Sequence, residues 1–104
     1  MSALVAVATL KLPSRPTHLA ATPLTGKQIG LTWTASSSGM PLLGYYIFRG
    51  SSPSSLSQVG AVPVTSFTDY QLTPSTTYYY AVQAFDTGGN VSPMSATVAA
   101  TTLP

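Results

Sequence analysis

Few side chains of this chain could take part in chemistry. Asp69 and Asp86 are the only acidic residues, His18 is the only histidine, and glutamate and cysteine are absent. Catalysis by two carboxylates requires them close together, and each aspartate lies at the end of a different predicted strand. A single histidine cannot form the histidine cluster of a zinc site. The sequence therefore predicts no catalytic residue, no metal site, no cofactor and no enzymatic activity, with His18 on a half-exposed edge strand.

The charged residues are too few and too scattered to attract nucleic acid. Four cations, Lys11, Arg15, Lys27 and Arg49, leave a net charge of +2. Charged residues make up 6% of the chain, whereas an average soluble domain has about 25%. No stripe of Lys and Arg could follow a phosphate backbone. We predict no nucleic-acid partner, and a surface whose polarity comes from serine and threonine hydroxyls.

Length and composition indicate one domain with a single core. The chain has 104 residues, of which 44% are hydrophobic, and a domain of this size can bury a modest core. No run of about 20 apolar residues is available to span a bilayer. Because cysteine is absent, no disulfide can form. We expect a monomer without a membrane span.

Short β-prone runs separated by turns recur along the whole chain, which is the pattern of an antiparallel sandwich. The segment QIGLTWT alternates apolar and small or polar residues, as a half-buried strand does. We predict seven strands, at Thr17–Thr22, Gln28–Thr34, Leu43–Arg49, Leu56–Val62, Ser66–Tyr70, Thr76–Asp86 and Met94–Thr102.

Large side chains at alternate positions define the expected core. The spacing of the segment LTPSTTYYY places a tyrosine near the start of a strand, where its ring can be buried while its hydroxyl bonds to backbone upstream. Large aromatic side chains dominate the cores of small sandwiches. The predicted core residues are Trp33, Tyr45, Leu72, Tyr78 and Tyr80.

The chain resembles the fibronectin type III family over about residues 15–102. The resemblance rests on Pro16 with Leu19, on LTWTAS with Trp33, on GYYIFRG, and on TSFTDYQLTPSTTYYYAVQAFDTGGNVSP. Tyr80 stands where an antibody-type domain has its second cysteine. The resemblance implies an all-β, seven-stranded antiparallel immunoglobulin-like sandwich over residues 15–104, preceded by a leader or linker at residues 1–14.

Four aromatic residues are expected on the outer face of one sheet. They are Tyr46 and Phe48 on the third strand, and Tyr79 and Phe85 on the long sixth strand. Sugar rings or a partner protein could stack on such a face. Alternatively, cross-strand aromatic pairs stabilise a sheet by about 0.2–1 kcal/mol each and need no ligand.

The leader resembles the end of the domain itself. Val5–Pro13 (VAVATLKLP) and Ala96–Pro104 (ATVAATTLP) share a valine, an alanine, a leucine and the final proline at the same places. The leader is then the remnant of a preceding domain in a tandem array. Two alternatives stay open: chance similarity between simple segments, or a leader that adds to the edge of a sheet.

The resemblance is to the bacterial branch of the family, because of the loop FDTGGNVSP and the charge-poor surface. In that branch such domains connect the catalytic and carbohydrate-binding modules of secreted polysaccharide-degrading enzymes. The resemblance therefore implies a secreted, non-catalytic spacer whose partners are neighbouring domains of the same polypeptide. The alternative is a binding module that contacts carbohydrate or a partner protein, as an adhesion or receptor domain does. Fold alone does not choose between these functions.

Overall fold

The computed structural model describes residues 12–104, and the predicted leader up to residue 11 lies outside the described residues. The described part confirms the predicted fold class, because seven strands form two antiparallel sheets. The strands are β1 (Thr17–Thr25), β2 (Gln28–Thr34), β3 (Leu42–Gly50), β4 (Ser57–Val62), β5 (Ser66–Asp69), β6 (Thr77–Asp86) and β7 (Val98–Thr101).

The two sheets have three and four strands. The first sheet has the order β1-β2-β5, and the second has the order β4-β3-β6-β7. β2 pairs with β1 on one side and with β5 on the other, and β3 is flanked in the same way by β4 and β6. The long, strongly apolar strands β2, β3 and β6 are therefore central, and the short or polar strands form the edges.

The last strand begins later than its sequence pattern predicts. Regular pairing starts only at Val98, because two serine side chains take the place of backbone partners further upstream. The Ala84 N–H donates to Ser92 Oγ at 2.9 Å, and the Val82 N–H donates to Ser95 Oγ at 2.9 Å. Serine hydroxyls compete with the backbone in this way, so the chain runs beside β6 without forming a ladder.

The core lies between the two sheets, where alternate residues of the central strands meet. Trp33, Tyr45, Leu72 and Tyr80 are buried, and Tyr78 is partly buried against them. The rings of Trp33 and Tyr45 meet edge to face, with centroids 5.4 Å apart, which is a preferred geometry for aromatic pairs. All five residues of the predicted core thus lie in or against the observed one.

The tyrosine near the start of β6 forms the corner that its position in the sequence predicts. The Thr73 N–H donates to Tyr78 Oη at 2.9 Å, so the hydroxyl bonds to backbone five residues upstream. Ser75 has a φ of 52°, a left-handed backbone conformation that is uncommon outside glycine. The hydroxyl therefore fixes a turn that is conformationally demanding.

The sandwich has two ends, which we call poles. The N-terminal pole carries residues 12–16, 35–41, 63–65 and 87–92. The C-terminal pole carries residues 26–27, 51–56, 70–76 and 102–104. These assignments follow from the strand registers, in which each of β1, β3 and β5 begins toward the N-terminal pole.

The polypeptide is attached to the sandwich at both poles. The Ser14 N–H donates to the Ser37 carbonyl at 2.8 Å, and the Leu103 N–H donates to the Thr25 carbonyl at 3.3 Å. Pro13 is fully buried. The packed unit therefore includes residues that the sequence analysis assigns to the leader. Residues 12–104 contain no helix with the length and hydrophobicity needed to cross a membrane.

Replacing Tyr78 by Phe should lower the free energy of unfolding by about 0.5–1.5 kcal/mol, because the Thr73 N–H loses its partner while the ring stays packed. Urea unfolding measures the loss. Tyr79→Phe is the matched control, since no hydrogen bond to the Tyr79 hydroxyl occurs among residues 12–104. Equal losses in the two variants would show that the corner bond is not stabilising.

Candidate functional site

The most concentrated polar chemistry in the described chain is a carboxylate buried between the sheets. Asp69, the last residue of β5, is 5% exposed. Its Oδ2 accepts a hydrogen bond from the Tyr80 hydroxyl at 2.7 Å. Arg49 Nη1 donates to both carboxylate oxygens, at 3.0 and 2.9 Å. β5 belongs to one sheet while β3 and β6 belong to the other, so this group joins the two sheets.

The surroundings of the Tyr80 hydroxyl keep it protonated. Burial raises the pKa of Tyr80 well above its ordinary value of 10.0, and the hydrogen bond to Asp69 raises that pKa further. Tyr80 is therefore a permanent donor and cannot act as a general base. The Arg49 guanidinium lies 5.6 Å from the centre of the Tyr78 ring, within the range of a cation–π contact. Asp69, Tyr80 and Arg49 thus each have a hydrogen-bond partner inside the protein.

The second aspartate organises the turn after β6. Asp86 is 1% exposed, and its Oδ1 accepts hydrogen bonds from the backbone of Gly88 at 2.9 Å and of Asn90 at 3.0 Å. Ser38 Oγ donates to Oδ2 at 3.2 Å. Gly89 has a φ of 81°, a conformation in which glycine is unstrained. The carboxylate thus connects two loops of the N-terminal pole.

The hydrogen bonds that Asp86 accepts lower the pKa of its carboxyl group. Burial by itself raises the pKa of this carboxyl group, but the bonds from Asn90, Gly88 and Ser38 outweigh burial and hold the pKa below its ordinary value of 3.8. The ionised form is therefore favoured in the folded protein. Like Asp69, this carboxylate is occupied by structural partners.

His18 is exposed on β1, the edge strand on which the sequence predicts it. Its φ is 57°, and the pairing of β1 with β2 is irregular between Thr17 and Ala20. His18 Nδ1 lies 3.2 Å from Thr17 Oγ1 and 3.3 Å from Thr34 Oγ1. Among the described residues, no group of three His, Cys, Asp or Glu side chains could hold a metal ion. The bulge instead disrupts the edge of the sheet, which discourages pairing with another strand.

The four aromatic residues proposed as a ligand face all lie on the outer face of the four-stranded sheet. The rings of Tyr46 and Phe85 stack on each other with centroids 4.2 Å apart and planes inclined by 13°. Phe48 lies opposite Ala81, and Tyr79 lies opposite Gly50. All four side chains are only partly exposed. Tyr46 and Phe85 therefore stack on each other, while Phe48 and Tyr79 lie on the same face of the sheet.

The hydrogen bonds of Asp69, Asp86 and Arg49 were not predicted from the sequence. Both aspartates lie at strand ends, as their positions in the sequence predict, but no partner was predicted for either. An acid directly after the alternating pattern of β5, in a chain with only two acids, was the one available signal. The two partners of Asp69, Tyr80 and Arg49, are 11 and 20 residues away in sequence. The spacing of neighbouring residues therefore could not identify them.

Replacing Tyr80 by Phe should destabilise the domain by about 1.5–3 kcal/mol, because it removes a buried hydrogen bond to a charged group. Tyr45→Phe is the matched control. It also removes a core tyrosine hydroxyl, but that hydroxyl accepts only from the neutral Ser36 N–H, worth about 0.5–1.5 kcal/mol. Urea unfolding of the two variants measures the difference, and a smaller loss in Tyr80→Phe than in Tyr45→Phe would contradict the prediction.

Asp86 should make the domain less stable in acid. A carboxyl group whose folded pKa is depressed contributes stability above its unfolded pKa and loses that contribution as pH falls through the folded pKa. Asp86→Asn should therefore unfold more easily than the native chain at pH 6. The difference should begin to shrink near the ordinary pKa of 3.8 and vanish only below the lower pKa of the folded protein. Unfolding measured from pH 6 to pH 2 tests this, and parallel pH profiles would refute it.

Comparison with known proteins gives relatives among large bacterial enzymes. The chain is 43% identical over 90 residues to exoglucanase B of Cellulomonas fimi, covering 86% of this chain and 8% of the enzyme. It is 38% identical over 97 residues to an alpha-amylase of Niallia circulans, covering 93% of this chain and 7% of the enzyme. Chitinase A1 of Niallia circulans is 36% identical over 90 residues, which are 86% of this chain and 12% of that protein.

Solved structures agree with the fold. An Fn3-like protein from Clostridium thermocellum superposes with a TM-score of 0.76 at 26% identity, covering 86% of this chain and 92% of that one. The family model described as the fibronectin type III domain matches residues 14–101. This match spans both sheets, the corner tyrosine and the buried Asp69. The chain belongs to the fibronectin type III family.

Proposed function

We propose that this chain is a non-catalytic spacer module of a secreted bacterial polysaccharide-degrading enzyme. The relatives named above are an exoglucanase, an alpha-amylase and a chitinase, and this chain matches only 7–12% of their lengths. The remainder of those proteins is ample for separate catalytic domains. Polymeric substrates of such enzymes lie outside the cell, which supports secretion. The partners of this module are then the neighbouring domains of its own polypeptide.

The observation that carries this proposal is the position of the two attachment points. Ser14 is bonded at the N-terminal pole and Leu103 at the C-terminal pole. β1 runs between the poles with nine residues, which at about 3.3 Å per residue span ~30 Å. Domains joined to the two poles are therefore held apart by the length of the sandwich. A fold with adjacent attachment points could not separate its neighbours in this way.

The internal chemistry suits a passive spacer. Both carboxylates are buried and fully partnered, so neither is free to act on a substrate. The hydroxyl-rich surface carries few charges that could attract a charged ligand. Rigidity comes from the core and from the Asp69 link between the sheets, and it needs no disulfide.

The alternative function is binding of carbohydrate or a partner protein by the outer aromatic face. The geometry offers it little support, since Tyr46 and Phe85 each direct one ring face at the other. A sugar ring stacks on an open aromatic face, and the mutual stack leaves fewer such faces. Cross-strand stabilisation of β3 and β6 accounts for the pair without a ligand.

A distance measurement tests the spacer. The full chain is placed between two unrelated globular reporter domains, each carrying one spin label, and is compared with a Gly/Ser segment of equal residue number. The flexible segment should give a broad distribution around ~50 Å. We expect the folded chain to give a narrower distribution centred at a fixed separation. Equal widths for the two fusions would refute a spacing function.

An assay of binding to insoluble polysaccharide distinguishes a spacer function from the alternative binding function. The isolated chain and its Tyr46→Ala/Tyr79→Ala variant are mixed with insoluble cellulose and chitin, and the unbound protein is measured. Negligible retention of both proteins is expected for a spacer. Retention of the native chain that the variant loses would instead favour the aromatic face as a binding site.

A further inference from the structure

A cleft of about 270 Å³ lies along one side of the sandwich, between the start of β1 and the segment that leads into β7. β1 and β7 are edge strands of different sheets. Because regular pairing of β7 begins only at Val98, the wall opposite β1 is formed by Ser95, Ala96 and Val98. Leu19 and Val98 pack against the core and also line the cleft. The cleft therefore gives access to apolar side chains at the seam between the two sheets.

Two basic side chains, Arg15 and His18, line the same cleft. Both residues are exposed. The two side-chain acids of the chain, Asp69 and Asp86, are buried on partners of their own. Within the part of the chain that the structure describes, no side-chain carboxylate therefore neutralises Arg15. A guanidinium is a planar donor whose fork matches a carboxylate, so the cleft suits an anion with an apolar body.

A bulge in β1 sets the position of His18. From Thr17 to Ala20 β1 advances by three residues, while β2 advances by two, from Thr34 to Thr32. His18 takes the left-handed φ of 57° within this bulge, and bulges re-aim side chains. The Nδ1 atom of His18 lies 3.2 and 3.3 Å from the hydroxyls of Thr17 and Thr34. A neutral imidazole that accepts at Nδ1 carries its hydrogen on Nε2, which leaves Nε2 to donate to a ligand.

A small, compact ligand fits this cleft better than an extended peptide does. A peptide that binds at the edge of a sheet pairs its backbone with that edge, and such pairing needs a regular strand. The bulge interrupts β1 at His18, and residues 93–97 precede the ladder of β7. The volume of the cleft is below the roughly 300–1,000 Å³ of pockets that hold drug-sized ligands. A single ring that carries one carboxylate is therefore the occupant that size and charge favour.

We propose that this cleft binds a uronic acid residue of an acidic polysaccharide. Arg15 and His18 donate to the carboxylate, and Leu19 and Val98 contact the sugar ring. The choice of a sugar among small carboxylates rests on the proposed function, whereas the cleft and its charges do not. Since both donors are exposed, the affinity for a single sugar is low, with a dissociation constant of the order of 1 mM. This contact is separate from the spacing of neighbouring domains.

Titration of the isotope-labelled full chain with sodium glucuronate tests the proposal, followed by NMR at constant ionic strength. The backbone amide signals of Leu19 and Val98 should shift until the site is saturated. Glucose has the same ring without the carboxylate and should leave these signals in place. Arg15→Gln should weaken binding of glucuronate about fivefold, the size of effect that an exposed ion pair allows. Lys27→Gln is the matched control, because it removes the same charge at the C-terminal pole, and it should bind as the native chain does.

A second variant tests the other donor. His18→Asn removes the imidazole, and asparagine tolerates a left-handed backbone, so binding should weaken while unfolding in urea shows that the sandwich is intact. Equal shifts with glucose and glucuronate, or equal weakening by Arg15→Gln and Lys27→Gln, would overturn the proposal. Tighter binding of N-acetyl-aspartate amide than of glucuronate would also overturn it, because the site would then be one for an acidic peptide. The spacer function has its own distance measurement, so it stands or fails independently of this titration.

Discussion

The link between Asp69, Tyr80 and Arg49 is the interaction on which the two-layer structure depends most. It joins β5 of one sheet to β3 and β6 of the other, at the position where an antibody-type domain would use a cysteine. A buried ion pair is not by itself a source of stability. Here the carboxylate has both an ionic and a hydroxyl partner, so removing either one would leave a buried charge poorly compensated. The link therefore specifies how the sheets align.

The use of both acids inside the protein has a consequence for its surface. With Asp69 between the sheets and Asp86 in a turn, no side-chain carboxylate of the chain is available to solvent. The exterior is left with hydroxyls, a few cations, a partly buried aromatic row on one sheet, and apolar side chains at the poles. Such a molecule has little means of recognising a cationic ligand.

The strands and the tyrosine corner could largely be predicted from the sequence. The hydrogen bonds between side chains and residues far apart in the chain could not. Alternation in QIGLTWT identifies β2 within its observed bounds, and the tyrosine after Pro74 identifies the corner, because both signals are local. The start of β7 could not be predicted, since the side chains of Ser92 and Ser95 replace a ladder that their β-prone neighbours favour. The partners of Asp69 could not be predicted either, because they depend on how strands far apart in sequence come to face each other.

The division between faces and poles also explains how one small fold can serve as a connector. Cross-strand stacking of Tyr46 on Phe85 covers apolar area on the sheet face and stabilises the central strand pair, so that face is completed within the domain. At the poles the strands end, and side chains such as Leu43 and Leu103 have no further strand to cover them. Since the chain is also attached at these poles, a domain joined in series to either end would begin beside the uncovered side chains of that pole. The geometry that separates the two attachment points thus also leaves exposed apolar side chains next to each of them.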